Sequence, residues 1–285
     1  MNIENISVVG LGTMGSQIAI VFAQAGFTTN VVEVDQERLD QGMERIRGFL
    51  TRQAKKGKLS DSDAEAAFER VVGHVGISAG ATDADFAVEA VFEDMEVKKQ
   101  AFVELDKVCG QEAILASNTS TLSITEIAAA TSRAERCIGT HFLIPAALTP
   151  LVEIVRGHVT SEETLKTTQE LLKKCGKDTV VVADFPAFVI NRLYIPLMNE
   201  AFFTLGEGVA SAEEIDKSCE KGLGMPLGPL AASDASGLDV ILMCIETLHR
   251  EFGDKYRPAP LLVKLVRAGH LGRKTGRGVY IYNNK

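Results

Sequence analysis

The chain predicts an α/β fold in which a doubly wound sheet domain is followed by an all-α C-terminal domain, and three observations carry that prediction. The first is residues 5–15, Asn-Ile-Ser-Val-Val-Gly-Leu-Gly-Thr-Met-Gly, where an apolar strand runs straight into Gly10-x-Gly12-x-x-Gly15 and an apolar helical stretch follows over 14–25. Gly10 permits the tight strand-to-helix turn, Gly12 lets backbone approach a pyrophosphate, and Gly15 lets helix pack on strand, so the helix N–H groups face phosphates. The second is the alternation of strand-like and helical segments through the first two thirds of the chain, the pattern of a parallel sheet covered on both faces. The third is the near disappearance of strand signals after Asp184-Phe185-Pro186, where proline disfavours helix for its predecessor and starts a new element. Together these give a Rossmann-type domain over 1–185 and a helical domain over 186–285.

In chain order, the second strand is 30–33, ending at Glu33, 18 residues past Gly15, where a carboxylate accepts hydrogen bonds from the hydroxyls of an adenosine ribose. Glu33 also repels a 2′-phosphate, so NAD is favoured over NADP; Asp35 is the alternative holder of the ribose. Helix is expected over 36–56 as one arm of a hairpin, with Ser60 or Asp61 capping a second arm over 64–70. Strands are expected at 71–77, 86–90, 114–117, 136–140, 151–156 and 179–182, separated by helices at 95–108, 123–130 and 161–174. Beyond the hinge, helices are expected at 187–207, 212–222, 238–252 and 260–268, punctuated by Gly and Pro.

Composition sets outer bounds. Length of 285 residues suits a large core divided into two domains, and 46% apolar with 24% charged content is ordinary for a globular protein. No run approaches the roughly 18–20 apolar residues of a membrane span, and the amino terminus lacks a signal-peptide layout. The five cysteines, Cys109, Cys137, Cys175, Cys219 and Cys244, are odd in number and lack C-x-x-C spacing, so neither a disulfide framework nor a metal site is expected, and a reducing cytoplasm is. A net charge of -8 argues against nucleic acid as partner. The small basic run Arg52 to Lys58 reads as a solvated helix end, with contact to an anionic substrate group as the alternative.

Oxidising an alcohol with a nicotinamide needs a base for the hydroxyl proton. Among five histidines, His74, His158, His249 and His270 have no companion acid at a telling position. His141 ends an apolar run near the carboxyl end of a strand, where open α/β sheets place ligands. Glu153 follows 12 residues later inside the apolar run Leu151-Val-Glu-Ile-Val155, where a carboxylate is costly unless paired. Pairing satisfies both groups: the acid fixes the imidazole tautomer and stabilises its protonated form. From spacing alone, a satisfied structural histidine is the alternative reading.

With these motifs quoted, the chain resembles the L-3-hydroxyacyl-CoA dehydrogenase family, above all its short bacterial members acting on 3-hydroxybutyryl-CoA. The resemblance runs from Ile6 to Tyr282 and rests on Gly10-Leu-Gly-Thr-Met-Gly15, Leu115-Ala-Ser-Asn-Thr-Ser120, His141 with Leu151-Val-Glu153, Phe188-Val-Ile-Asn191-Arg192, Met225-Pro-Leu-Gly-Pro229 and Leu271-Gly-Arg-Lys-Thr-Gly276. It implies reversible NAD-linked oxidation of an (S)-3-hydroxyacyl-CoA in a cleft between the two domains, the helical one forming much of a homodimer interface. It further implies His141 as general base, Glu153 as its orienting acid, Ser120 as hydrogen-bond partner of the substrate oxygen or thioester, and Asn191 as a positioning amide. For the cofactor it implies Gly10, Leu11, Gly12, Thr13, Met14, Gly15 and Glu33, with Glu93 and Lys98 near the nicotinamide half and Lys274 from the C-terminal motif. Read without the family, Ser120 is a helix-capping hydroxyl, Asn191 a helix-surface amide, and Glu93, Lys98 and Lys274 exposed charges.

The chain departs from the family pattern in four places. Ile144 replaces the asparagine of His-Phe-Phe-Asn-Pro, removing an amide that contacts the nicotinamide region; Thr149-Pro150 replaces Met-Lys before Leu-Val-Glu; Ala187 replaces a glycine; Ala231 replaces a glutamate. These changes leave Ser120, His141, Glu153 and Asn191 intact and point to altered substrate shape or weaker cofactor affinity. Pro150 is also found in relatives that oxidise free hydroxy acids, such as gulonate and carnitine dehydrogenases, so a free carboxylate is the rival substrate class. A dicarboxylic, cyclic or aromatic acyl group, and a protein that binds NAD without turnover, are the remaining alternatives.

Overall fold

The computed structural model describes residues 3–282 and divides into two compact units, Met1–Phe185 and Pro186–Lys285. In the first, strands β1 (Asn5–Val9), β2 (Thr28–Glu33), β3 (Val71–Val75), β4 (Phe86–Glu89), β5 (Ile114–Ser117), β6 (Cys137–Phe142), β7 (Leu151–Arg156) and β8 (Asp178–Ala183) form one sheet in the order β3-β2-β1-β4-β5-β6-β7-β8. Helices α1 (Thr13–Gln24), α2 (Gln36–Lys55), α3 (Asp61–Glu69), α4 (Ile77–Ala81), α5 (Met95–Val108), α6 (Ile124–Ala128) and α7 (Glu162–Lys174) connect them.

The strands carry apolar residues at successive positions because both faces are covered. Ile6, Val8, Val31, Phe86, Val88, Ile114, Ala116 and Ile138 point into a core shared with Ile18 and Phe22 of α1, Ile46 of α2 and Leu171 of α7. Their neighbours Val9, Val32, Ala87, Leu115 and Cys137 point into a second core with Ala81 of α4, Phe102 and Leu105 of α5 and Ile127 of α6. This split follows the period of two along a strand.

The sheet departs from the all-parallel pattern at one place. β6 and β7 pair antiparallel, while every other neighbouring pair is parallel. Residues 143–150 return the chain directly instead of crossing through a helix, and eight residues of Pro- and Ala-rich loop cannot make a crossover of the dozen or more that parallel pairing needs.

Helix starts follow the local capping signals. Asp35, Ser60, Asp94, Ser123, Ser161 and Ser211 each accept a hydrogen bond from a backbone N–H of the first turn they precede. In the second unit, α8 (Ile190–Gly206), α9 (Ala212–Gly222), α10 (Pro229–Ser236), α11 (Leu238–Phe252) and α12 (Pro260–Arg267) surround a core that includes Ile195, Phe202, Leu230, Ile241, Ile245 and Leu262. The sequence reading omitted α4 and α10. Neither start has a side-chain cap of its own; α10 instead takes its cap from another helix, where Asp216 of α9 accepts from Leu230 N and Ala231 N at 2.8 and 2.9 Å. Among the described residues no helix is long and apolar enough to cross a membrane.

Candidate functional site

The glycine loop joins β1 to α1, and its three glycines have different physical causes. Gly10 has a φ of +90°, a conformation L side chains rarely adopt, and a Cβ there would lie 2.9 Å from the Ala90 carbonyl oxygen. A Cβ on Gly15 would lie 1.7 Å from the Gly10 oxygen, so helix could not pack on strand with any larger residue. Around Gly12 nothing of the protein lies within 4 Å of that point, and its φ of -62° suits any residue. Its backbone is left open to a ligand. Gly12 is the N-cap of α1, it makes no side-chain cap, and the first turn carries no acid, so the N–H groups and the positive helix end are directed at that space.

The two acids at and just beyond the end of β2 separate cleanly. Glu33 Oε1 accepts from Leu11 N at 2.7 Å, fastening the glycine loop to the end of β2. Asp35 caps α2 through Arg38 N at 2.8 Å. Of the two, Glu33 is the one at the loop. Arg45 of α2 donates to the Leu11 carbonyl at 2.6 Å, and beside it a cavity of about 480 Å³ lies between α1 and α2, lined in part by Thr13, Gln17, Arg45 and Arg52. Arg52 is the only member of the basic run 52–58 to line it.

His141 and Glu153 are register partners across the antiparallel pair β6 and β7. Residues directly opposite in such a pair point to the same face. His141 Nδ1 stands 2.7 Å from Glu153 Oε2, with the carboxylate fully buried and the imidazole nearly so. Beside an ionised carboxylate, which only accepts, Nδ1 is the donor of this pair.

Ser120 lies in the turn after β5, and that turn closes on a carboxylate. Glu93 Oε1 accepts from Thr119 Oγ1 at 2.6 Å, Ser120 N at 2.8 Å and Thr121 N at 3.1 Å. Its other oxygen is 3.3 Å from Lys98 Nζ. Burial by itself would raise the Glu93 pKa, but the Lys98 charge, the Thr119 hydroxyl and the Ser120 N–H outweigh it and hold the carboxyl below its ordinary value. Lys98, from α5, is buried and also donates to both oxygens of Glu89 at 3.0 Å. Glu89, the last residue of β4, is fully buried; burial pushes its pKa up against the pull of Lys98 and the hydrogen bond from Ser117. One residue further along the turn, Asn118 Oδ1 accepts from Phe142 N at 3.0 Å, tying the turn to the neighbour of His141.

Glu89 and Asn118 were missed by sequence reasoning. The signal for Glu89 was present, an acid closing an apolar strand, which is the same argument that singled out Glu153. Asn118 offered none, since one amide in a polar turn is indistinguishable from its neighbours.

Comparison with known proteins decides the family. Residues 5–185 match the model of the 3-hydroxyacyl-CoA dehydrogenase NAD-binding domain, and residues 188–282 match that of the 3-hydroxyacyl-CoA dehydrogenase C-terminal domain. The chain belongs to the 3-hydroxyacyl-CoA dehydrogenase family. It is 46% identical over 289 residues to a probable 3-hydroxybutyryl-CoA dehydrogenase of Bacillus subtilis, covering 100% of this chain and 99% of that one. It is 45% identical to a 3-hydroxybutyryl-CoA dehydrogenase of Bradyrhizobium diazoefficiens, covering 98% and 96% of the two chains. Among solved structures it is similar to (S)-3-hydroxybutyryl-CoA dehydrogenase from Ralstonia eutropha, with a TM-score of 0.93 and 42% identity over 99% of this chain and 100% of that one.

As a 3-hydroxyacyl-CoA dehydrogenase the protein is an NAD-dependent oxidoreductase. The open Gly12 backbone, the uncapped N-terminus of α1 and Glu33 at the loop fit a dinucleotide. In the second unit, Asn191 is the second residue of α8, and Lys274 pairs with Asp239 at 2.6 and 2.7 Å on the exposed surface. Ile144, where the family pattern has asparagine, is 68% exposed in the connection between β6 and β7. That connection is held by Gln17, which accepts from Ala147 N at 3.2 Å, and by Lys177, which donates to the Ala146 and Thr149 carbonyls at 2.7 and 2.8 Å.

Proposed function

We propose that this chain catalyses the reversible oxidation of a short-chain (S)-3-hydroxyacyl-CoA, of the 3-hydroxybutyryl-CoA kind, to the 3-ketoacyl-CoA. The observation that carries this reading is the buried 2.7 Å hydrogen bond between His141 Nδ1 and Glu153 Oε2, because it fixes the tautomer a general base requires. His141 takes the hydroxyl proton at Nε2, and Glu153 stabilises the imidazolium that forms. Ser120 hydrogen-bonds the substrate oxygen or thioester, and Asn191 positions the carbonyl. NAD, when bound, supplies the hydride acceptor. Gly10, Leu11, Gly12, Thr13, Met14 and Gly15 cradle its pyrophosphate, Glu33 accepts from the ribose hydroxyls, and Glu93, Lys98 and Lys274 serve it further along. Arg52 in the cavity between α1 and α2 offers a cation to an anionic part of the CoA. The relatives named 3-hydroxybutyryl-CoA dehydrogenase, similar over nearly the whole chain, support the substrate class, and with it a place in short-chain β-oxidation or butanoate metabolism. We further propose a cytoplasmic homodimer, in keeping with five cysteines that are all free thiols.

The exposed aliphatic Ile144 favours a second reading, in which the mechanism is kept but the preferred substrate is an unusual acyl group or a free hydroxy acid. The deciding experiment is NADH formation with (S)-3-hydroxybutyryl-CoA beside free 3-hydroxybutyrate, gulonate and carnitine. Activity confined to the thioester is expected. Activity with a free acid alone would transfer the assignment to that class, and binding of NADH with no turnover of any of them would make the protein a binding module.

A further inference from the structure

Glu89 has no task in the reaction as proposed, yet it occupies a costly position. It is a fully buried carboxylate at the end of a central strand, where an acid survives only with a cation and several donors around it. It has them: Lys98 Nζ at 3.0 Å from both oxygens, the Ser117 hydroxyl, and Val91 N at 3.2 Å. An apolar residue at this point would be the simpler core. The network runs onward instead of ending. Lys98 also contacts Glu93, and Glu93 gathers the hydroxyl of Thr119 and the N–H groups of Ser120 and Thr121 on one oxygen, with Ser120 Oγ itself 3.3 Å away. From its other side Ser117, bound to Glu89, accepts from Thr119 N at 3.1 Å. Both ends of the turn that carries Ser120 are therefore fastened to the same buried pair.

We propose that Glu89, Lys98 and Glu93 form a positioning relay that sets the Ser120 turn, with Glu89 as its buried anchor and Glu93 as the clamp that grips the turn. Lys98 cannot be held at this depth by Glu93 alone, since Glu93 is part-exposed while Lys98 is 1% exposed. Glu89 fixes the ammonium, and the ammonium fixes the orientation of Glu93. Glu89 is thus a positioning residue that acts through Ser120, and the inference rests on the proposed role of Ser120 toward substrate.

Two measurements on the full-length protein test it. In hydrogen–deuterium exchange without substrate, Glu89→Gln and Glu93→Gln each speed exchange of the amides of Ser120 and Thr121 by roughly tenfold, while the glycine loop over 10–16 is unchanged. Unchanged protection of this turn in both variants overturns the relay. Glu93→Gln, on a part-exposed side chain, decides this arm if Glu89→Gln fails to fold. In steady-state kinetics with acetoacetyl-CoA at saturating NADH, Glu89→Gln lowers kcat roughly tenfold, and adds little when Ser120 is already Ala. An equal loss in both backgrounds shows action by another route and overturns the proposal. Wild-type protein that binds NADH but turns over no acyl-CoA counts against the proposed activity, and the exchange arm then decides the relay by itself.

Discussion

His141 and Glu153 are 12 residues apart in the chain and directly opposite in the sheet, with Nδ1 2.7 Å from Oε2. The antiparallel return of β7 on β6 brings this about, because cross-strand partners share a face and hold their side chains within hydrogen-bond reach. A one-residue slip of that register would turn Glu153 away from the imidazole. The hydrogen-bond ladder of the sheet, more than the flexible side chains, sets the pair.

The first prediction concerns that pair. His141→Ala lowers kcat by about two to four orders of magnitude, the usual worth of a general base, and leaves the NADH dissociation constant unchanged by fluorescence titration. Glu153→Gln keeps a hydrogen-bonding group but loses the charge that stabilises the imidazolium, so kcat falls by at least about tenfold. Full turnover in His141→Ala would falsify the assignment of the base.

Gly12 and Gly15 give opposite results on substitution. Gly15→Ala forces a methyl to within 1.7 Å of the Gly10 carbonyl and costs roughly 1–3 kcal/mol of stability, seen as a lower Tm. Gly12→Ala meets no protein atom within 4 Å, so its Tm falls only by the small loss of a glycine N-cap, less than in Gly15→Ala. Its methyl projects into the pyrophosphate space, and an overpacking penalty of roughly 1–3 kcal/mol there weakens NADH binding about ten- to a hundredfold. Equal NADH affinity in wild type and Gly12→Ala would count against a pyrophosphate at this turn.

Glu33 and Asp35 are likewise separable. Asp35→Ala removes the N-cap of α2 and costs about 0.5–2 kcal/mol in urea unfolding, with the preference for NAD over NADP retained. Glu33→Ala releases Leu11 N and the ribose acceptor together, and lowers the ratio of kcat/KM for NAD over NADP. A ratio that shifts with Asp35 and not with Glu33 would reverse the two roles.

Stability declines on the alkaline side. Burial pushes the thiols of Cys109 and Cys137 up to about 11 and that of Cys175 up to about 12. A group with a raised folded-state pKa contributes stability that is fully present below its unfolded pKa, about 8.5 for a thiol, and lost as pH rises toward the folded value. Lys177, lowered by burial, acts in the opposite sense, but it is one group against three. Under reducing conditions the urea midpoint should fall between pH 8 and pH 10.5, and Cys175→Ala should make the fall shallower. A midpoint independent of pH over this range would mean the thiols are not held in apolar surroundings.

The sequence by itself determined the elements that depend on near neighbours. Gly10-x-Gly12-x-x-Gly15 after an apolar run gives the strand, turn and uncapped helix, because the positive φ of Gly10 and the approach of Gly15 to the Gly10 carbonyl are constraints within a few residues. Ser60, one of the two caps the sequence offers for α3, marks that helix start for the same reason. His141 and Glu153 were legible as chemically odd residues in apolar strands, though spacing could not say whether they met. What only the tertiary structure decided are the contacts fixed by register and by distant packing: the antiparallel turn of β7 that faces Glu153 toward His141, the burial of Glu89 with Lys98, the gathering of the Ser120 turn on Glu93, and the capping of α10 by Asp216. Local signals act over a turn of helix or two strand positions. Hydrogen bonds between groups tens of residues apart are set by how whole elements pack, and the chain has no local pattern that records them.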